Sequence, residues 1–201
     1  MYPASFYDPN SDIIPNTYVS KDIDLLMEII TNSSSDKMIL KPLDGYGGKG
    51  VIIIEKSAMA NIRSLLDFYI RKHENKPGYV ILQEYVEGAE KGDVRVLILN
   101  GKPIGAIRRV PTKNDFRSNI SSGGSVEKHS LTKNEIKICN KIGKKLLKDG
   151  IYFAGLDIIS EKLIEINVIS PGTITDINKL NRTKIQKKIV DFLEEQVKLK
   201  T

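Results

Sequence analysis

The 201-residue sequence holds one cysteine, Cys139, so an intrachain disulfide is excluded. Such usage suits a reducing cytoplasm. Histidine is nearly as scarce, and His73 and His129 stand too isolated to be read as a catalytic pair. Apolar runs are short, Val51 to Ile54 being an example, whereas a membrane-spanning helix needs about 20 residues. No basic segment followed by an apolar one opens the chain, so no secretory signal is read. The basic excess is small as well: 31 Lys+Arg against 25 Asp+Glu leave +6, and the pairs Arg108-Arg109, Lys144-Lys145 and Lys187-Lys188 are scattered. A nucleic-acid face calls for a concentrated basic stripe with stacking aromatics. Neither a nucleic acid nor a membrane is therefore expected as a partner, and a polyanionic small molecule suits the charge better.

What is present reads as a folded protein. Hydrophobic residues make up 40% and charged residues 28%, ordinary globular usage, and the length allows one large domain or two small packed ones. Residues 1–20, with Pro3, Pro9 and Pro15, read as an extended lead-in rather than a core element. Ile23, Leu26, Met27 and Ile30 follow helical spacing. A strand over 38–41, a glycine-rich loop and a strand over 51–55 come next. Ser57 is placed to cap a second helix with Ile62, Leu65, Leu66 and Tyr69 inward, before a strand over 79–84. Asn100-Gly101 marks a hairpin between strands 94–99 and 104–110. Residues 111–130 read as a long loop. Thr132 and Glu135 make a capping box for a helix with Ile136, Cys139, Ile142, Gly143 and Leu146 inward. Strands 151–159 and 162–168 flank Ser160-Glu161, and a last helix over roughly 183–197 buries Ile185, Ile189, Phe192 and Leu193. The class is α+β, with a smaller half over 21–86 and a larger one over 87–201.

Two clusters could carry chemistry. Lys41-Pro42-Leu43-Asp44-Gly45-Tyr46-Gly47-Gly48-Lys49-Gly50 places four glycines in six positions between two strands. Backbone without side chains can approach a phosphate closely and donate N–H groups to it. Taken alone, such a loop reads more readily as a hairpin tip. It is neither a P-loop, since no Gly-Lys-Ser/Thr follows, nor a Rossmann turn, since a strand rather than a helix comes next. In the second cluster Glu165 and Asn167 are two apart in a strand and project from one face, with Asp157 on the partner strand. Two carboxylates and an amide suit Mg²⁺; a solvent-facing polar alternation is the competing reading. Arg95, Arg109 and Arg117 could hold phosphate or carboxylate oxygens with guanidinium forks.

In order along the chain, these motifs resemble the ATP-grasp ligases, specifically the ATP-binding region of prokaryotic glutathione synthetase. The resemblance is carried by Ile39-Leu40-Lys41-Pro42-Leu43-Asp44-Gly45 with Gly47-Gly48, Gln83-Glu84-Tyr85 and Gly92-Asp93-Val94-Arg95-Val96-Leu97. It continues in Arg117-Ser118-Asn119 with Gly123-Gly124, and in Gly155-Leu156-Asp157-Ile158-Ile159 followed by Glu165-Ile166-Asn167-Val168. One departure is Val168-Ile169-Ser170-Pro171, where the family usually reads Val-Thr-Ser-Pro.

The resemblance implies an ATP-grasp fold, two α+β subdomains around a nucleotide cleft. It implies that Lys41 contacts the α/β phosphates and that Gly45, Tyr46, Gly47, Gly48 and Gly50 belong to the loop covering them. Glu84, Tyr85 and Val86 would form the adenine hinge and Asp93 would face the ribose. Asp157, Glu165 and Asn167 would hold Mg²⁺, with Mn²⁺ as the alternative ion. Arg95, Arg109, Arg117 and Asn119 would steady the transferred phosphoryl group and the carboxylate. The implied reaction joins γ-glutamylcysteine to glycine with ATP through an acyl phosphate, giving glutathione, ADP and phosphate. The family also has an N-terminal substrate domain, expected here as a separate partner, and a homo-oligomer is compatible. The alternatives are an ATP-grasp ligase for another peptide or amino acid, and a nucleotide-binding module without turnover of its own.

Overall fold

The computed structural model describes residues 2–3, 12–43, 47–71, 77–112 and 123–199. In chain order the strands are Tyr2–Pro3 (β1), Thr17–Ser20 (β2), Lys37–Pro42 (β3), Ile52–Glu55 (β4), Val80–Glu84 (β5), Asp93–Leu99 (β6), Lys102–Val110 (β7), Ser125–Lys128 (β8), Phe153–Ile159 (β9) and Lys162–Asn167 (β10). The helices are Ile23–Asn32 (α1), Met59–Arg71 (α2), Lys133–Lys148 (α3), Ile174–Asn181 (α4) and Ile185–Lys198 (α5). The fold is α+β, built on two antiparallel sheets: a four-stranded one in the order β2-β5-β3-β4 and a six-stranded one in the order β1-β10-β9-β6-β7-β8.

Each sheet buries one face under helices, because strand alternation gives it one apolar side. In the small sheet Met38, Leu40, Ile54, Val80 and Leu82 pack with Leu26 and Ile30 of α1 and Ile62, Leu66 and Ile70 of α2. In the large sheet Val94, Val96, Ile98, Leu156 and Ile158 meet Ile138, Cys139, Ile142 and Leu146 of α3. Burying one such Leu or Ile contributes about 1.5–3 kcal/mol, so these two cores hold the sheet faces in place. α3 begins on a complete capping box between Thr132 and Glu135. Asn100 and Gly101 adopt φ of 48° and 72° at the β6–β7 turn, as that dipeptide dictates.

Several local expectations are corrected. The lead-in is structural: Tyr2–Pro3 pairs with β10, Thr17–Ser20 pairs with β5, and Ile14 is buried in the core beside α3. Ser57 does not cap α2, since it lies inside a 3-10 turn, Lys56–Ala58, that runs into it. Within 111–130 the segment Ser125–Lys128 is a strand, because β7 offers it a hydrogen-bonding edge. On α3 Ile138 is buried while Ile136 is 40% exposed. The last helix starts at Ile185, and Leu193 is exposed on it. The unforeseen α4 instead buries Ile177 with Leu97, Ile107 and Ile185 on the other face of the large sheet. No helix among the described residues is long and apolar enough to cross a membrane.

Candidate functional site

The face of the large sheet opposite α3 carries a row of charge. Arg95 stands opposite Asp157 in the β6–β9 ladder, and Asp157 opposite Glu165 in the β9–β10 ladder. Beside them Asp93 stands opposite Arg109. A bulge between Leu163 and Glu165 makes this possible on β10. Two residues apart, Leu163 and Glu165 would share a face in a regular strand; the extra residue leaves Leu163 and Ile166 in the core and turns Glu165 to the charged side.

The two buried arginines are each gripped by aspartates. Arg95 donates through Nε and Nη2 to the two oxygens of Asp157, the second at 2.9 Å, and through Nη1 to the carbonyl of Pro171. Arg109 donates from Nε to Asp93 Oδ1 at 2.6 Å and from Nη2 to Asp93 Oδ2, and Nη2 also lies 2.9 Å from Asp157 Oδ2. Bidentate pairs of this kind fix both partners in direction as well as in charge. Burial would raise the Asp157 carboxyl, but the Arg109 and Arg95 guanidiniums outweigh it and hold it at about 2. Burial, with the Asp157 charge added, pushes Asp93 and Glu165 above the usual carboxylate range. Burial and then the neighbouring Asp157 and Asp93 charges bear on Arg109, with a net rise.

Asp157, Glu165 and Asn167 do come together: Asn167 Nδ2 lies 3.3 Å from Asp157 Oδ2, and Glu165 faces Asp157. Among the described residues no group of three His, Cys, Asp or Glu side chains is set to hold a metal. The mixed oxygen set nevertheless suits a hard divalent ion completed by water and phosphate. Among the described residues no hydrogen bond or ion pair engages the Glu165 carboxylate, so its raised carboxyl is open to a cation, with the Asn167 amide oxygen beside it. Asp157 could join only by sharing its oxygens with the two arginines.

Across from this row stands the small sheet's polar face. Lys41 is 8% exposed and Gln83 2%. Lys41 Nζ donates to Gln83 Oε1 at 2.7 Å, and Gln83 Nε2 donates to Thr17 Oγ1 at 2.9 Å. Burial pulls the Lys41 ammonium below its ordinary value, while the Glu165 and Asp157 charges push it back up. Those two acids lie on the other sheet, so the cleft runs between them and the lysine. Gly47, Gly48 and Gly50, after Lys41, have φ of 63°, 74° and 71°. Successive left-handed residues of this kind are open to glycine at little cost. Gly45, Tyr46, Arg117 and Asn119 lie outside the described residues.

The remaining sequence-derived residues are placed less simply. Glu84 projects to the helix side of its sheet, opposite Met38, accepts from Asn16 Nδ2 at 3.2 Å and lines an outer groove of about 390 Å³. An adenine held between the sheets would therefore meet Glu84 through its backbone rather than its carboxylate. There the Glu84 and Tyr85 N–H groups are bound to the carbonyls of Asn16 and Lys37. Asp93 gives both oxygens to Arg109 and is buried, whereas the resemblance implies a ribose contact. The sequence reading also missed Thr17, the linking amide of Gln83, and Thr173. Thr173 has φ 62° and a buried Oγ1 with no hydrogen-bond partner among the described residues. Gln83 had a signal, as the polar residue closing the apolar run Val80-Ile81-Leu82; Thr17 had none beyond β-branching.

The geometry agrees with what known proteins resemble. Residues 2–182 match the family model of the prokaryotic glutathione synthetase ATP-grasp domain. The glutathione synthetase of Thermosynechococcus vestitus is 34% identical over 193 residues, covering 96% of this chain and 58% of that protein. The glutathione synthetase of Agrobacterium fabrum is 37% identical over 186 residues, 92% of this chain and 56% of that protein. The chain thus spans a little over half the length of these curated relatives. Among solved structures, the ATP-grasp ligase PsnB complexed with minimal precursor, Mg and ADP aligns with a TM-score of 0.66 at 16% identity, covering 96% of this chain and 57% of that one. The D-alanine–D-alanine ligase of Bacillus anthracis complexed with ATP gives 0.63 at 14% identity, with 94% and 62% covered. Both show the shared fold.

Proposed function

The chain belongs to the prokaryotic glutathione synthetase ATP-grasp family, and on that premise we propose that it is the ATP- and Mg²⁺-binding module of a carboxylate–amine ligase that makes glutathione from γ-glutamylcysteine and glycine. The observation that carries this reading is the opposition of a buried lysine on one sheet to a row of acids and arginines on the other. A nucleotide triphosphate between the sheets meets cationic groups from both sides.

In this reading the Lys41 ammonium neutralises the α/β phosphates, and the loop from Gly45 to Gly50 donates backbone N–H groups to them. The backbone at Glu84 to Val86 receives the adenine. Glu165 and Asn167, with Asp157 sharing its oxygens, hold Mg²⁺, which supplies charge neutralisation on the phosphates. Asp93 acts through Arg109, fixing the direction of that guanidinium. Arg95, Arg109, Arg117 and Asn119 orient and neutralise the transferring phosphoryl group and the substrate carboxylate. An oxygen of the γ-glutamylcysteine carboxylate forms a bond to the γ-phosphorus as the bond to the ADP oxygen breaks. The glycine amine then attacks the acyl carbon, loses a proton, and phosphate leaves. Catalysis by positioning and charge is what phosphoryl transfer asks of a protein, and a catalytic nucleophile is not required. Cys139 is accordingly buried with its thiol pushed up to about 12 by burial.

The deciding experiment is ATP turnover with γ-glutamylcysteine and glycine, with and without an added substrate domain from a relative, with the product identified by mass. Glutathione in either arm supports the synthetase. ATP turnover with a different amine or carboxylate assigns another ATP-grasp ligase. Tight Mg·ATP binding with no turnover in either arm leaves a binding module and overturns the synthetase reading.

A further inference from the structure

We infer that Gln83 and Thr17 form a positioning relay that aims the Lys41 ammonium into the cleft, an inference that rests on reading Lys41 as the lysine that meets nucleotide phosphates. The three residues come from three adjacent strands of the small sheet. Gln83 stands opposite Thr17 in the β2–β5 ladder and opposite Ile39 in the β3–β5 ladder, which places Lys41, two residues beyond Ile39, on the same face and diagonal to Gln83.

The direction of every hydrogen bond in the chain follows from its far end. Thr17 Oγ1 gives its single proton to the carbonyl of Pro15 at 2.7 Å. It can then only accept, and it accepts from Gln83 Nε2 at 2.9 Å. That fixes the amide, turning Oε1 to Lys41 Nζ at 2.7 Å. The relay is buried, with Gln83 2% exposed, so a lost link would leave a desolvated polar group unpaired.

The chemistry of the acceptor matters. An ammonium has three donors, and one is committed to Gln83, which leaves two for a ligand in the cleft. The acceptor is a neutral amide, so Lys41 is held without being neutralised. A carboxylate at position 83 would hold the lysine equally well and compete with phosphate for its charge. Burial favours the uncharged amine, and a hydrogen bond to an amide oxygen favours the protonated form that a phosphate needs.

The test measures the affinities of ATP, ADP and adenosine for the full chain with Mg²⁺ present, in wild type, Lys41→Met, Gln83→Met, Thr17→Val and Thr17→Ser, with melting temperatures recorded alongside. Gln83→Met is expected to weaken ATP and ADP about tenfold, the loss of one hydrogen bond to a charged group. Thr17→Val should weaken them by a smaller factor and Thr17→Ser should restore them. Adenosine, which carries no phosphate, should bind all variants alike. If Lys41→Met weakens ATP while Gln83→Met and Thr17→Val do not, the relay is wrong and the reading of Lys41 stands. If Lys41→Met leaves ATP unchanged, both fall. Equal losses for adenosine and ATP in the Gln83 or Thr17 variants would make these residues structural props, which also overturns the relay. Thr17→Ser and Thr17→Val differ from wild type by little volume, so the comparison survives if Gln83→Met fails to fold.

Discussion

Asp157 and Glu165 stand directly opposite each other on β9 and β10, and their carboxyl groups are driven in opposite directions. Asp157 is gripped by Arg95 and Arg109 and held at about 2. Glu165 is half-buried beside that charge with no guanidinium of its own and is pushed upward. One carboxylate thus anchors the arginines, and the other is left as the group with most to gain from a cation.

The first prediction concerns Glu165→Gln. A carboxyl whose folded value is raised favours folding while protonated and loses that contribution as pH rises through the folded value. Above the ordinary carboxylate range the half-buried Glu165 therefore works against the fold in the absence of metal. Glu165→Gln should melt higher than wild type at pH 7, and the gap should close below about pH 4, where both states of the wild-type residue are protonated. Thermal melts from pH 3 to 8 without Mg²⁺ check this. A variant that melts lower than wild type at pH 7 contradicts it.

Asp157 runs the other way. Its folded value lies below the unfolded one, so its stabilisation is complete above about pH 4 and disappears as pH falls toward 2. Asp157→Ala leaves Arg95 and Arg109 buried with their shared partner gone, which should cost about 3–5 kcal/mol at pH 7. Chemical denaturation of the variant should also show a flatter pH dependence between 4 and 2. A loss under about 1 kcal/mol would mean that the arginines find other partners.

How far the site could be read from sequence follows from how local its determinants are. Asn100-Gly101, the Thr132–Glu135 box and the two-residue spacing of Glu165 and Asn167 are short-range, so each is legible in the sequence. The side of the sheet taken by Glu165 depends on a bulge beside Ile164, which alternation cannot foresee. Arg95 is bound to Asp157 and Pro171, 62 and 76 residues away, so its engagement is set by tertiary packing alone. α4 escaped notice because its sequence, ITDINKLN, buries one residue, Ile177, and so lacks a full apolar stripe. β8 became a strand through the open edge of β7, a partner chosen by the sheet rather than by composition.

Gly143 gives a steric prediction. It sits inside α3, where alanine would ordinarily favour the helix by about 1 kcal/mol. A Cβ there would lie 2.1 Å from the carbonyl oxygen of Gly101, in the turn between β6 and β7. Backbone on both sides cannot yield as a flexible side chain could, so Gly143→Ala must push α3 away from the sheet and loosen Cys139, Ile142 and Leu146. The net effect should be a destabilisation of about 1–3 kcal/mol or more, read by denaturant titration. A variant at least as stable as wild type would show that the helix can shift freely.

Mg·ATP should itself stabilise the chain, and the amide of Asn167 should decide how strongly. A ligand that binds only the folded state adds about 2.7 kcal/mol at a concentration 100 times its Kd. Because the surroundings of Glu165 disfavour its charged form, a cation placed beside it removes a cost as well as adding contacts, so the shift in melting temperature with Mg·ATP should exceed that with ATP and EDTA. Asn167→Ala removes one oxygen and a long amide contact to Asp157, 3.3 Å, and leaves the Asp157 grip on its arginines intact. It should therefore melt near wild type without ligand and show a reduced Mg²⁺-dependent shift. Equal shifts in wild type and Asn167→Ala would remove Asn167 from the metal set. A shift lost in the presence of ATP and EDTA too would instead place Asn167 on the nucleotide.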